Sequence, residues 1–138
     1  MANALYPKWK EAILQGTAGS SLGGTVKAVL VDTGVYTYSA THQYLSSVTA
    51  AATATTAQTI NNKTFVNGLF KGDNVTFTGV PAGSSTGVAL EAIVLYIDSG
   101  SAATSPLVAY FDTATGLAVT PNGGDITISW NASGIFQL

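Results

Sequence analysis

The run Leu90-Glu91-Ala92-Ile93-Val94-Leu95-Tyr96-Ile97-Asp98-Ser99-Gly100 decides the fold. Six consecutive apolar residues, rich in β-branched side chains and closed by Asp-Ser-Gly, read as a strand buried on both faces. Two other segments repeat the pattern: Thr25-Val26-Lys27-Ala28-Val29-Leu30-Val31-Asp32 before Thr33-Gly34, and Leu107-Val108-Ala109-Tyr110-Phe111-Asp112-Thr113-Ala114. Each ends on an aspartate, which closes a strand by accepting nearby backbone N–H bonds. Three such strands belong in the middle of a sandwich or under a partner. Glu91, inside an apolar run, must face water or find a partner, for which Lys27 is the candidate.

Weaker strand signals lie between and after these runs. Residues 57–60, 63–70 and 73–78 are extended candidates, with a bulge or turn at Gly68. Val75 and Phe77 fall on one face of their strand, Thr76 and Thr78 on the other. Residues 126–130 and 135–138 read as two short strands, preceded by the turn signal Asn122-Gly123-Gly124-Asp125. The helical candidate is residues 4–15, where Leu5, Trp9, Ala12 and Ile13 recur at three- and four-residue spacing. Pro7 suits its first turn and Gly16 its end. Either Trp9 packs on the chain's own core or the helix docks on a neighbouring subunit.

These elements imply one domain, 1–138, that is mainly β: an antiparallel β-sandwich or jelly-roll-like barrel of seven to nine strands with one short N-terminal helix. Residues 1–16 form the helix or arm and residues 37–59 a long loop or arm. Within the latter, residues 40–48 read as a helical turn with Thr41 as N-cap, followed by the small-residue tract 49–56. A second excursion is expected at residues 81–87.

Of the 138 residues only 12 are charged, five lysines and seven carboxylates, with no arginine, no cysteine and one histidine, His42. The acidic balance, with a pI near 4.9 and a mean hydropathy of +0.33, opposes nucleic-acid binding and disorder alike. The sequence carries no secretory h-region and no membrane-length apolar run, so synthesis in a cytoplasm is expected. Proton transfer and metal binding draw on the residue types that are scarce here. No catalytic residue, cofactor or metal is therefore assigned. A lone His42 lacks the further ligands of a metal site, and Asp32, Asp98 and Asp112 read as turn caps. Tyr36, Tyr38 and Tyr44 lie close in sequence, and tyrosines serve sugar contact and subunit interfaces equally.

The whole chain resembles a family of small tailed-bacteriophage virion structural proteins. The resemblance lies in Ala4-Leu5-Tyr6-Pro7-Lys8-Trp9-Lys10-Glu11-Ala12, in Val29-Leu30-Val31-Asp32-Thr33 with Tyr36-Thr37-Tyr38-Ser39-Ala40, in Leu95-Tyr96-Ile97-Asp98-Ser99-Gly100, in Leu107-Val108-Ala109-Tyr110, and in Val119-Thr120-Pro121-Asn122-Gly123-Gly124-Asp125-Ile126-Thr127-Ile128. It implies a capsid decoration or cement protein on the virion surface, bridging subunits of the major capsid protein and contacting copies of itself, in a trimer for example. A tail or neck subunit and a carbohydrate-binding module are the rival readings. The expected interface residues are Leu5, Trp9, Ile13, Tyr36, Tyr38 and Tyr44.

Overall fold

The computed structural model describes residues 3–49, 56–80 and 89–138. The expected excursion at 81–87 and most of the small-residue tract 49–56 fall outside them. Among the described residues the chain is mainly β with one α-helix. The order is β1 (Ala4–Leu5), α1 (Pro7–Gln15), β2 (Val26–Val31), β3 (Gln58–Thr59), β4 (Thr64–Val66), β5 (Leu69–Lys71), β6 (Val75–Phe77), β7 (Ala92–Ile97), β8 (Leu107–Phe111), β9 (Ile126–Ile128) and β10 (Phe136–Gln137). The strands form three sheets, ordered β1-β8-β7-β2-β3, β10-β5-β4 and β6-β9, with every pairing antiparallel. The two-residue β10 falls within the short strand expected at 135–138, whereas β1, inside the span expected to be helix, carries too little pattern to be seen in advance and raises the count above nine.

The three apolar runs form the centre of the largest sheet. Register places Tyr110, Val94 and Val29 in one row and Phe111, Ile93 and Leu30 in the next, so the rows face opposite sides. Both sides are covered by the chain itself. Tyr36 and Tyr38 lie against Tyr110, while Trp130 meets Phe111 edge-on. All of β7 and β8 is buried. In the two-stranded sheet Val75, Phe77, Ile126 and Ile128 are buried, and Thr76 and Thr127 share a hydroxyl bond of 3.0 Å on the wet face. One contiguous core joins these residues to Tyr6, Trp9 and Phe70 in a sandwich-like arrangement.

The helix starts later than its periodicity suggests. A residue before proline is pushed out of the helical region, and Tyr6 accordingly sits at φ −69°, ψ 124°. Pro7 becomes the first helical residue, and Ala4 and Leu5 pair with Tyr110 and Ala109 of β8 instead. At the other end Gly16 takes φ +67°, and Gly16 and Thr17 N–H bond to the carbonyls of Ile13 and Ala12. That is the Schellman closure, which glycine enters without a Cβ penalty.

The helical turn within 40–48 is only Leu45–Ser47, and Tyr44 precedes it without a side-chain cap. Thr41 is not its N-cap, because its hydroxyl is engaged with Ser39 Oγ at 2.9 Å. The turn is held to the β7–β8 connection by Leu45 N–H to Ser105 O and Ser46 N–H to Ala102 O. Gln58 and Thr59 then join β2 as an edge strand. No helix of the described residues is long and apolar enough to cross a membrane.

Candidate functional site

After β2 the chain folds back over the sheet. Asp32 O accepts from Val35 and Tyr36 N–H, and Asp32 Oδ1 accepts from Gly34 N–H at 2.7 Å. This turn carries Tyr36 and Tyr38 onto Tyr110, with ring centroids 6.4 and 5.5 Å away. Tyr6, at the junction of β1 and α1, stands 5.0 Å from Tyr38. The Tyr36 hydroxyl bridges Tyr6 Oη at 2.7 Å and His42 Nδ1 at 2.9 Å. His42 is thus the half-buried end of a hydrogen-bond chain that starts at the buried Tyr6 hydroxyl.

Thr33, Thr37, Glu91 and Asp112 join these tyrosines around a cleft of about 470 Å³. Glu91 does not pair with Lys27, because Lys27 lies at the opposite end of β2. Glu91 Oε2 instead accepts from Thr33 N–H (2.9 Å) and Oγ1–H (3.1 Å). Burial raises the phenol pKa of Tyr110, and the negative Asp112 and Glu91 raise it further. Burial first, then the bond to Tyr36, holds Tyr6 far above the usual tyrosine range. Such phenols stay protonated at neutral pH and can donate as well as accept hydrogen bonds.

The cleft unites only two of the three tyrosines singled out in the sequence. Tyr44 is bridged to Pro106 at the other end of β8, with its hydroxyl accepting from Gln43 Nε2 at 3.1 Å. Tyr36 is 3 % exposed, so its ring forms a wall rather than a platform. Of the helix residues, Trp9 is 1 % exposed and donates Nε1–H to Ser20 O at 2.9 Å. It packs on the chain's own core, as do the half-buried Leu5 and Ile13 in part. The large apolar helix residue that faces outward is Leu14, 87 % exposed.

The strand-ending aspartates separate by strand direction. Because β2 and β8 both run antiparallel to β7, Asp32 and Asp112 share one end of the sheet and Asp98 lies at the other. Asp98 Oδ2 meets Lys27 Nζ at 2.8 Å, and its Oδ1 accepts from Gly100 N–H. The Lys27 bond and then the Gly100 bond hold the Asp98 pKa down, and the same ion pair raises that of Lys27. Among the described residues no three acidic, histidine or cysteine side chains gather as a metal site.

A second feature escaped the sequence reading. The hairpin β4–β5 turns on Asn67 and Gly68, both at positive φ, and leaves Phe65 and Val66 53 % and 62 % exposed beside Leu138 at 60 %. Phe65 stacks on Phe70, which contacts Phe136, which meets Trp9, in a row of rings 5.3 to 5.7 Å apart running from surface to core. β4 ends its sheet and has no strand on its outer edge among the described residues. Exposed edges are commonly guarded by lysine, but the Lys63 ammonium turns inward onto Leu22 O (2.7 Å) and Gly24 O. The Asn-Gly dipeptide between two short apolar runs was the available signal.

No protein-family model matches the chain, and no curated protein matches it at a significant level.

Proposed function

We propose that this protein is a structural component of a tailed-phage virion, a decoration protein that stabilises the head by bridging subunits of the major capsid protein. The observation that carries the reading is the pairing of a charge-poor chain with an uncovered apolar edge. The faces of the central sheet are covered by its own chain, whereas Phe65, Val66 and Leu138 remain exposed on the β10-β5-β4 sheet. A partner strand laid along β4 would complete that edge and bury the two side chains, the usual mode of strand addition.

The sequence blocks behind the phage resemblance fall on β1, α1, β2, β7, β8 and the turn into β9, the frame of the fold. The resemblance therefore supports a shared scaffold, and the β4 edge supplies the contact surface. Cement proteins act by burying surface across neighbouring subunits so that many weak contacts must break together.

The test is to add the purified chain to heads lacking it and count copies by imaging. Saturable binding of hundreds of copies over the shell is expected, with Phe65→Asp/Val66→Asp losing about 2 kcal/mol of apolar burial, roughly 30-fold in affinity. A ring of few copies moves the protein to the neck or tail. No particle association, or association indifferent to the double substitution in a folded variant, overturns the proposal.

A further inference from the structure

We infer that the surface around Trp130 is a carbohydrate site, binding one or two pyranose units of a glycan. Trp130 follows β9 and is held from three directions, two of them on its indole. Its Nε1–H bonds Asp73 O at 2.9 Å, its backbone N–H bonds Asn74 Oδ1 at 3.0 Å, and Phe111 meets its ring edge-on at 6.1 Å. The side chain is only partly buried and walls two clefts, of about 180 and 220 Å³, that also share Asn131, Gly134 and Ile135. Each is smaller than the roughly 300–1,000 Å³ of a pocket for a drug-sized ligand, a scale that suits single rings on either side of the indole.

The polar groups around the indole are set in advance. Asn74 Oδ1 is engaged by Trp130 N–H, and Asn131 Oδ1 by Ser133 N–H at 2.8 Å. Both amides are thereby oriented with Nδ2 left over, and neither Nδ2 bonds another described residue. The hydroxyls of Thr115 and Ser129 and the ammonium of Lys71, which line the same clefts, likewise carry no hydrogen bond within the described chain. A rigid aromatic ring flanked by oriented amide donors and free hydroxyls calls for a ligand with an apolar C–H face and a rim of oxygens, which is a pyranose ring. Lys71, the one charge in these walls, favours a carboxylated sugar. A stacked nucleotide fits poorly, since its phosphate would find a single lysine and no arginine. The site shares no lining residue with the tyrosine cleft and does not include Phe65 or Val66 of the β4 edge, so it is tested independently of the capsid reading.

The experiment uses the full chain, 15N-labelled, titrated with neutral and uronic-acid oligosaccharides chosen from a glycan-array screen. Trp9 and Trp130 give two indole N–H signals, and the buried Trp9 serves as the internal control. Binding that shifts the Trp130 signal and weakens about tenfold in Asn131→Ala, with Trp9 unmoved, is expected. Lys71→Gln, at an exposed residue, should weaken uronic-acid ligands selectively. The inference is overturned by silence on the array, by no Trp130 shift up to about 10 mM sugar, or by sugar affinity within twofold of wild type in a folded Asn131→Ala chain. Shifts confined to the tyrosine cleft overturn it equally.

Discussion

Replacing Tyr36 by phenylalanine removes one oxygen from the middle of the Tyr6–Tyr36–His42 chain and leaves the ring packing in place. Tyr6 is 0 % exposed and its hydroxyl is hydrogen-bonded to Tyr36 at 2.7 Å, so the variant strands a buried hydroxyl that water does not reach. An unsatisfied buried group costs about 1–3 kcal/mol, more than the ~0.5–1.5 kcal/mol net value of an ordinary hydrogen bond. Tyr6→Phe is the milder change, because the Tyr36 hydroxyl keeps His42 Nδ1 at 2.9 Å. The double variant removes the orphan along with its partner, so its cost should fall below the sum of the singles by ~0.5 kcal/mol or more. Urea unfolding with an unchanged m value measures all three, and for a chain of this length Tyr36→Phe should lower Tm by about 3–10 °C. A Tyr36→Phe variant within ~0.5 kcal/mol of wild type, or strictly additive singles, would refute the reasoning.

Gly68→Ala tests the β4–β5 hairpin: φ is +76° and an added Cβ would lie 2.8 Å from Leu138 O, so a loss of at least ~1–2 kcal/mol is expected, with Leu138 displaced from the turn. Unchanged stability would mean that the turn does not require this left-handed geometry. The Lys27–Asp98 pair sets a pH dependence with opposite signs at its two ends. Asp98 has its pKa lowered on folding, so its contribution is present above the unfolded value of about 3.9 and is lost as pH falls through the folded value. Lys27 has its pKa raised, so its contribution is complete below about 10.4 and lost as pH rises through the folded value. Both side chains are nearly a third exposed, which limits the pair to ~0.2–1 kcal/mol. Asp98→Asn should flatten the acid limb of urea midpoints measured between about pH 2 and 6, and an unaltered limb would count against the pair.

The legible parts of the fold were those written in local composition. The runs ending in Asp32, Asp98 and Asp112 are β2, β7 and β8 at the centre of the sheet, because continuous apolar character survives whatever the partner strand is. Val75 and Phe77 against Thr76 were readable because alternation encodes one wet face. The start of α1 was not, since the periodicity of Leu5 with Trp9 and Ala12 continues through Tyr6, while the steric demand of Pro7 on Tyr6 delays the first helical residue to Pro7. The partner of Glu91 was misjudged because Lys27 and Glu91 belong to opposite ends of an antiparallel pair, which only register reveals.

The candidate sites were the least legible. Tyr36 and Tyr38 were visible as a pair, but Tyr110, Glu91 and Asp112 reach the same cleft from strands more than 50 residues away. Nothing local to Trp130 says that Asp73 O and Phe111 will hold its ring and Asn74 Oδ1 its backbone N–H. Phe65 and Val66 read as ordinary strand residues, and their exposure follows from β4 lying at a sheet edge.

The sequence by itself determined a charge-poor, mainly β chain with three buried strands and a short N-terminal helix closed by Gly16. Those properties depend on residue type and on neighbours within a few positions. The tertiary structure alone decided which strand end holds which carboxylate, which apolar strand edge stays exposed, and which indole is held by the Asp73 carbonyl beside Asn74 and Asn131. Those depend on pairing register and sheet order, set by the burial of the whole core at once rather than by any one segment.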